Sequence, residues 1–182
     1  MANLCSFLMK VRGHKDDIIQ FHKAMMQEGN IWMGRGADAD LEFESDDLAT
    51  MTGTCKWSIQ SALIDNAISM RTNPERWHFG NGKDANDFEF ITLYEACERW
   101  NLAMEVYAEE CGCQFQEHFV CDKGEVLCDD CVDWEEYFVE DYETKEEAEE
   151  DLEITITDEE WATGLEESRF TRGGFESWDF EI

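Results

Sequence analysis

The sequence predicts an α+β fold, and three observations lead there. Apolar residues alternate along several short stretches, recur at helical spacing along others, and the two patterns succeed one another along the chain. Alternation comes first: Cys5, Phe7 and Met9 share one face of a strand over 3–12. After Gly13, Ile18, Phe21, Met25 and Met26 mark a helix that Gly29 can close. Stretches 40–45 and 51–59 are expected strands, the second carrying Cys55-Lys56-Trp57-Ser58-Ile59. A helix over 60–70 is expected next. Residues 71–90 are loop-like, with Pro74 and Gly80-Asn81-Gly82. Thr92 and Glu95 form a capping box ahead of Leu93, Ala96, Cys97 and Trp100, so a helix starts there and Asn101 ends it. Leu102, Met104, Val106 and Ala108 then alternate as a strand.

The order strand, helix, two strands, helix, strand over 3–108 is that of a ferredoxin-like antiparallel sheet with two helices. A hairpin extends it, with strands over 114–121 and 125–132 around the turn Asp122-Lys123-Gly124. Residues 1–132 are therefore expected as one domain, and 133–182 as an acidic α/β module. In that module Trp134, Tyr137 and Phe138 follow helical spacing behind a possible cap at Asp133. A second capping box, Thr144 to Glu147, opens a short acidic helix. Leu152, Ile154 and Ile156 alternate as a strand, and a third box, Thr157 to Glu160, opens a turn of helix with Trp161. Gly173-Gly174 breaks the chain before a last strand at 175–182.

Charge narrows the function. The 182 residues hold 44 acids against 14 lysines and arginines, a net charge of −30, yet 43% are hydrophobic and 13% aromatic. That is too apolar for a disordered acidic tail. Such a surface repels nucleic acid and anionic membranes and attracts cationic proteins. Residues 101–182 carry 28 acids and 4 bases, so they hold four fifths of the charge. The bases Lys10, Arg12, Lys15 and Lys23 near the start read as ordinary surface residues. No apolar run is long enough to span a membrane. Eight cysteines without a signal-peptide pattern point to reduced thiols in a cytoplasm.

Three places carry a resemblance to a known family. They are the opening Met1-Ala2-Asn3-Leu4-Cys5, the central Cys55-Lys56-Trp57, and TLYEACERWNLAMEVYAEECGCQFQEHF from Thr92 to Phe119. Together they resemble the YubB-type ferredoxin-like proteins of phages and plasmids, over about residues 1–132. Members often have an aromatic residue where Leu4 sits. The resemblance implies a mobile-element origin and supplies no catalytic residues. In size and acidity the chain also looks like the small phage and plasmid proteins that disarm host defence, among them inhibitors of Cas9.

Residues 135–151 sharpen that expectation. Glu135, Glu136, Glu140, Asp141, Glu143, Glu146, Glu147, Glu149, Glu150 and Asp151 stand against Lys145 alone. As one helix the run would carry a carboxylate every ~2.5 Å, comparable to the phosphate charge of duplex DNA, although Thr144 interrupts it. Glu136/Glu140, Glu143/Glu147 and Glu146/Glu150 are like-charge pairs at helical i,i+4 spacing, costing about 0.2–0.5 kcal/mol each. The ordinary reading of such a run is a solvated face. The functional one is a DNA mimic that occupies the cationic channel of a host nuclease, with the Cas9–guide RNA complex as the named target and Trp134 and Tyr137 as aromatic anchors.

Cys111-Gly112-Cys113 and Cys128-x-x-Cys131, with a hairpin between, offer four thiolates for zinc, making a zinc-binding interaction protein the alternative. The competing reading is free thiols on strands. Aspartates beside Cys128 and Cys131 oppose a reactive thiolate. Asp38-Ala39-Asp40 and Asp129-Asp130 lack the rest of an EF-hand loop. His14, His22, His78 and His118 have no recognisable nucleophile partner, and His22 and His118 read as packing or hydrogen-bonding residues. An acidic hydrolase is a further alternative; the expectation is a binding protein with no cofactor.

Overall fold

The computed structural model describes residues 3–77, 85–167, 169–175 and 177–182, and leaves out the side chains at 136, 138, 140, 167 and 169–172. His78, Gly80-Asn81-Gly82 and Met1-Ala2 lie outside the described residues, as do the side chains of Glu136 and Glu140. The class is α+β, built on a mostly antiparallel sheet.

Strand β1 (Leu4–Arg12) lies inside the sheet, between β4 (Leu48–Lys56) and β6 (Ala103–Glu110). β3 (Asp38–Phe43) flanks β4. On the other side follow β7 (Phe115–Asp122), β8 (Glu125–Phe138) and β9 (Arg169–Gly173), giving the order β3-β4-β1-β6-β7-β8-β9. Neighbours in this order pair antiparallel. Helix α1 (Lys15–Met25), a π-helical turn (Gln60–Asp65) that continues as α2 (Asn66–Thr72), and α3 (Leu93–Arg99) cover the sheet; α1, the π-helical turn and α3 share its core, whereas Met70 of α2 packs with Trp32, Phe88 and Phe90. A parallel pair, β2 (Ile31–Trp32) with β5 (Glu89–Phe90), stands apart.

Strand periodicity decides what is buried. Cys5, Phe7, Met9 and Val11 all face the core, beside Met51 and Cys55 of β4 and Met104, Val106 and Ala108 of β6. Ile18, Phe21, Met25, Leu63, Leu93 and Cys97 press on them from the helices. Each fully buried large side chain contributes about 1.5–3 kcal/mol. The intervening residues of each strand face the other side, called here the open face.

The expected elements up to residue 122 are present with small shifts in their ends. The hairpin turn is tight because Lys123 and Gly124 both take positive φ, 51° and 95°, the geometry a two-residue connection favours. Beyond it the structure departs from expectation. β8 continues to Phe138, so Trp134, Tyr137 and Phe138 lie on a strand and not a helix. Pairing with β9 satisfies that backbone and overrides the helical spacing. β8 also crosses the expected boundary at 132/133 without a break. The acidic helix is α4 (Lys145–Leu152), and the third capping box opens α5 (Asp158–Glu167). Leu152, Ile154 and Ile156 do not form a strand: Glu153 turns left-handed at φ 53°, and the three side chains serve a small second core. The described residues of the expected last strand, 175 and 177–182, are not in a strand.

Candidate functional site

The acidic stretch is held by its own core. Val139, Ala148 and Ile156 are buried together, with Tyr137, Tyr142, Leu152, Ile154 and Trp161 packed against them. Thr144 caps α4, its hydroxyl accepting the Glu147 N–H at 3.2 Å. Ala148 on the inner side of a helix rich in acids directs its neighbours outward, so Glu146, Glu147, Glu150 and Asp151 are exposed, with Asp141 and Glu143 beside them.

Several of these carboxylates also brace the module. Glu147 accepts the Glu143 N–H at 2.9 Å. Glu149, half-buried, accepts the Ile156 N–H at 2.9 Å. Asp151 accepts from the Tyr142 hydroxyl at 3.0 Å. Lys145 is paired with Asp158, which raises the lysine's pKa and lowers the aspartate's. The one cation of the acidic run is thereby engaged at the foot of α5.

Each expected site residue can now be placed. The run 135–151 is not one rod: Glu135 is on β8, Asp141 ends a 3-10 turn, and Glu143 to Asp151 lie at or within α4. The expected aromatic anchors turn inward. Trp134 is 8% exposed. Tyr137 packs on the second core and donates its hydroxyl to Glu135. Tyr137 thus helps hold the module together, and neither ring is free to serve as an exposed anchor.

The four cysteines do not converge. Cross-strand pairing puts Cys128 beside Val120 and Cys131 beside Glu117, two positions of opposite parity on β7. Cys128 therefore points to the open face and Cys131 to the helix side. Cys111 and Cys113 sit on the exposed turn between β6 and β7, where Asn3 donates to the Cys113 sulfur at 3.2 Å. No metal-holding group of three or more His, Cys, Asp or Glu exists among the described residues. Burial and Asp130 push the Cys128 thiol up to about 11. Burial, Glu117 and Asp133 raise that of Cys131.

Sequence reasoning missed a polar cluster on the open face. Register aligns Lys10, Glu105, Val120 and Cys128 in one row, and Leu8, Tyr107, His118 and Asp130 in the next. His118 thus lies diagonal to both Glu105 and Cys128. Its Nε2 is 2.9 Å from Glu105 Oε1 and its Nδ1 3.5 Å from the Cys128 sulfur. Tyr107 stacks flat on the His118 ring at 4.1 Å. Glu105 is 1% exposed, a buried carboxylate on the helix-free side of a sheet. The cover is the C-terminal segment: Glu181 donates its N–H to Glu105 Oε2 at 2.7 Å, and Phe175 donates its N–H to Gln116 Oε1 at 2.8 Å. The signal was present in the alternation of 103–110, which puts Glu105 and Tyr107 opposite Met104 and Val106. Nothing local indicated what would cover them.

The remaining candidates have simpler roles. His22 hydrogen-bonds the Ala39 carbonyl at 2.8 Å, and His14 caps α1. Lys10 pairs with Glu44 and Arg12 with Asp47. Lys15 lies over the Phe43 ring. Among the described residues no helix is long and apolar enough to cross a membrane. No family model, curated protein or solved structure matches the chain.

Proposed function

We propose that the chain is an acidic binding protein whose α4 face enters the cationic nucleic-acid channel of another protein and excludes the polyanion. The observation that carries this reading is the outer surface of α4. Five acids fall within its eight residues, four of them exposed, Lys145 is engaged by Asp158, and a dedicated core fixes the helix. At ~1.5 Å per residue the exposed four stand at one carboxylate per ~3 Å, against one charge per ~1.7 Å of duplex DNA. A complementary field speeds encounter, and salt weakens it.

The strand order β3-β4-β1-β6, with helices on one face, supports reading the first part as ferredoxin-like. It accords with a mobile-element protein of the YubB type. On that reading the target is a host defence nuclease in the cytoplasm, and the Cas9–guide RNA complex is the first to try. A binder is favoured over an enzyme because, among the described residues, the Cys128–His118 contact has its thiol pushed up to about 11 by burial and Asp130.

The test is a fourfold reversal, Glu143→Lys, Glu146→Lys, Glu147→Lys and Glu150→Lys, assayed against a Cas9–guide RNA complex competing for target DNA. Wild-type protein is expected to block DNA binding, and less strongly as salt rises. The reversed variant, with an unchanged circular dichroism spectrum, is expected to lose inhibition at least tenfold. Equal inhibition by the folded variant would remove α4 from the mechanism.

A further inference from the structure

Two cysteines stand directly opposite one another in the middle of the sheet. β1 and β4 pair antiparallel, and Cys5 is the partner of Cys55 in their register. Side chains of directly opposite residues leave a sheet on the same side. Here that side is the core, where both cysteines are 0% exposed. Their side chains are in hydrogen-bond contact, and both are free thiols.

The kind of rung sets their separation. Before the pair, the Trp57 N–H donates to the Asn3 carbonyl at 3.0 Å; past the other end of β1, the Gly13 N–H donates to the Asp47 carbonyl at 2.9 Å. Continuing the register of the two strands puts residue 3 opposite 57 and residue 13 opposite 47. Hydrogen-bonded rungs alternate with non-bonded ones in an antiparallel ladder, so the odd-numbered residues of β1 occupy the hydrogen-bonded rungs, with Cα atoms about 5.5 Å apart. A disulfide takes Cα separations of about 4.4–6.8 Å. Cys5 and Cys55 therefore stand within bonding range. Their Cβ atoms, ordinarily about 4.5–5.5 Å apart on such a rung, must close to about 3.8 Å. Only the rung of Leu4 and Lys56 lies beyond them, and both of those residues are exposed, so the ladder frays first where the approach is needed.

We propose that Cys5 and Cys55 are a disulfide site, at which a covalent bond joins β1 to β4 when the chain folds in the presence of a low-molecular-weight disulfide such as oxidised glutathione. One cysteine thiolate attacks a glutathione sulfur, displaces one glutathione as thiolate and leaves a mixed disulfide. The other cysteine attacks the protein sulfur of that mixed disulfide and displaces the second glutathione. Two protein thiols are oxidised, one glutathione disulfide is reduced, and the two protein protons pass to the two glutathione thiolates. The exchange belongs to the folding chain or to the frayed end of the ladder. In the closed fold the neighbouring Cys55 and burial raise the Cys5 thiol, which is inert there. The inference is independent of the α4 face and of any partner.

The test refolds the reduced wild-type chain from urea in a mixture of oxidised and reduced glutathione, beside a sample in dithiothreitol. Remaining thiols are blocked with N-ethylmaleimide, and the chain is digested without reduction and mapped by mass. Mapping is needed because Cys97 of α3 and Cys121 of β7 also adjoin in the core, so the loss of two hydrogens does not name the bond. The Cys5 peptide is expected to be joined to the Cys55 peptide at least tenfold more often than to any other. The bond closes a loop of about 50 residues, so the oxidised form is expected to melt roughly 5 °C or more above the reduced one, and Cys55→Ala to lose that contribution. Blocked thiols at both Cys5 and Cys55 in glutathione-refolded chains with the native circular dichroism spectrum overturn the proposal, as does a Cys5 peptide joined mainly elsewhere. Should the chain not refold in glutathione, native chain is held with oxidised glutathione just below its melting temperature and mapped in the same way. The Cys5–Cys55 link then supports the proposal, and its absence overturns it.

Discussion

The Glu117 carboxylate, set in the middle of β7, accepts the backbone N–H of Ile59 at 2.7 Å. It also reaches the Gln60 N–H, at 3.4 Å. One side chain of the sheet thus caps the start of the helical segment that runs to α2. Burial raises the pKa of this carboxyl, although the two backbone N–H groups pull the other way. Glu117→Gln keeps the acceptor and removes the ionisation. A raised carboxyl favours the protonated form in the folded state, so its contribution is full below the ordinary value of 4.5 and declines as pH rises through the raised one. Wild-type stability, measured against Glu117→Gln by urea unfolding, is expected to fall as pH rises from about 4.5 toward neutrality. Glu117→Ala leaves buried donors unmet and is expected to cost about 1–3 kcal/mol.

On α4, stability and proposed binding oppose each other. Glu146 and Glu150 are neighbours at i,i+4. Glu150→Lys replaces a repulsion by an attraction in the favoured order, acid before base, and is expected to stabilise the fold by about 0.4–1 kcal/mol in low salt. The same change is expected to weaken binding to a cationic partner. Thermal unfolding and a competition assay on one sample check both signs.

Two glycines with positive φ are expected to respond unequally. Gly34 sits at φ 60°, and an added Cβ would overlap the Ala62 carbonyl. Gly29 sits at φ 85° with open space around it. Gly29→Ala meets only the backbone cost of that conformation, about 1–2 kcal/mol. Gly34→Ala adds a clash with a main chain that cannot move aside, so its loss in chemical denaturation should be clearly the larger.

Thiol reactivity should sort by surroundings. Cys111, Cys113 and Cys131 are exposed, whereas Cys5, Cys55, Cys97 and Cys121 are buried. An aromatic disulfide reagent is expected to label the exposed set first and the buried set only on unfolding. Thiol pKa values are raised at Cys113 by Glu110 and at Cys131 by burial, and Cys128, half-buried as well, is pushed up to about 11, so Cys128 is expected to be the slowest of the four at pH 8.

Zinc is expected to give no stoichiometric complex. Cys128 and Cys131 face opposite sides of β8, and a tetrahedral site would require the strand to twist apart. Metal analysis after exposure to zinc, and an unchanged melting temperature, check this.

That last point was within reach of the sequence. The stretch holding Cys128 and Cys131 read as a strand, and residues an odd number of positions apart on a strand face opposite ways. Local rules held wherever a short pattern met no competitor: β1, the capping box at Thr92, and the caps at Thr144 and Thr157. They misled at Trp134–Phe138, where helical spacing lost to pairing with β9, more than thirty residues on. The acidic face of α4 was legible because charge is a sum over residues. The cluster of Glu105, His118 and Cys128 was not, because three strands in register and a returning C-terminal segment assemble it.

β8 runs from the hairpin turn at one end to the small core of Val139, Ala148 and Ile156 at the other. Its first part is sewn to β7 and its last part to β9. A cut between residues 132 and 133 would leave two damaged fragments, one with a frayed border and the other without its spine. Engineering that seeks to borrow the charged face must carry the whole ribbon with it, and a pull on α4 by a captured partner would travel down that ribbon to its seam with β7.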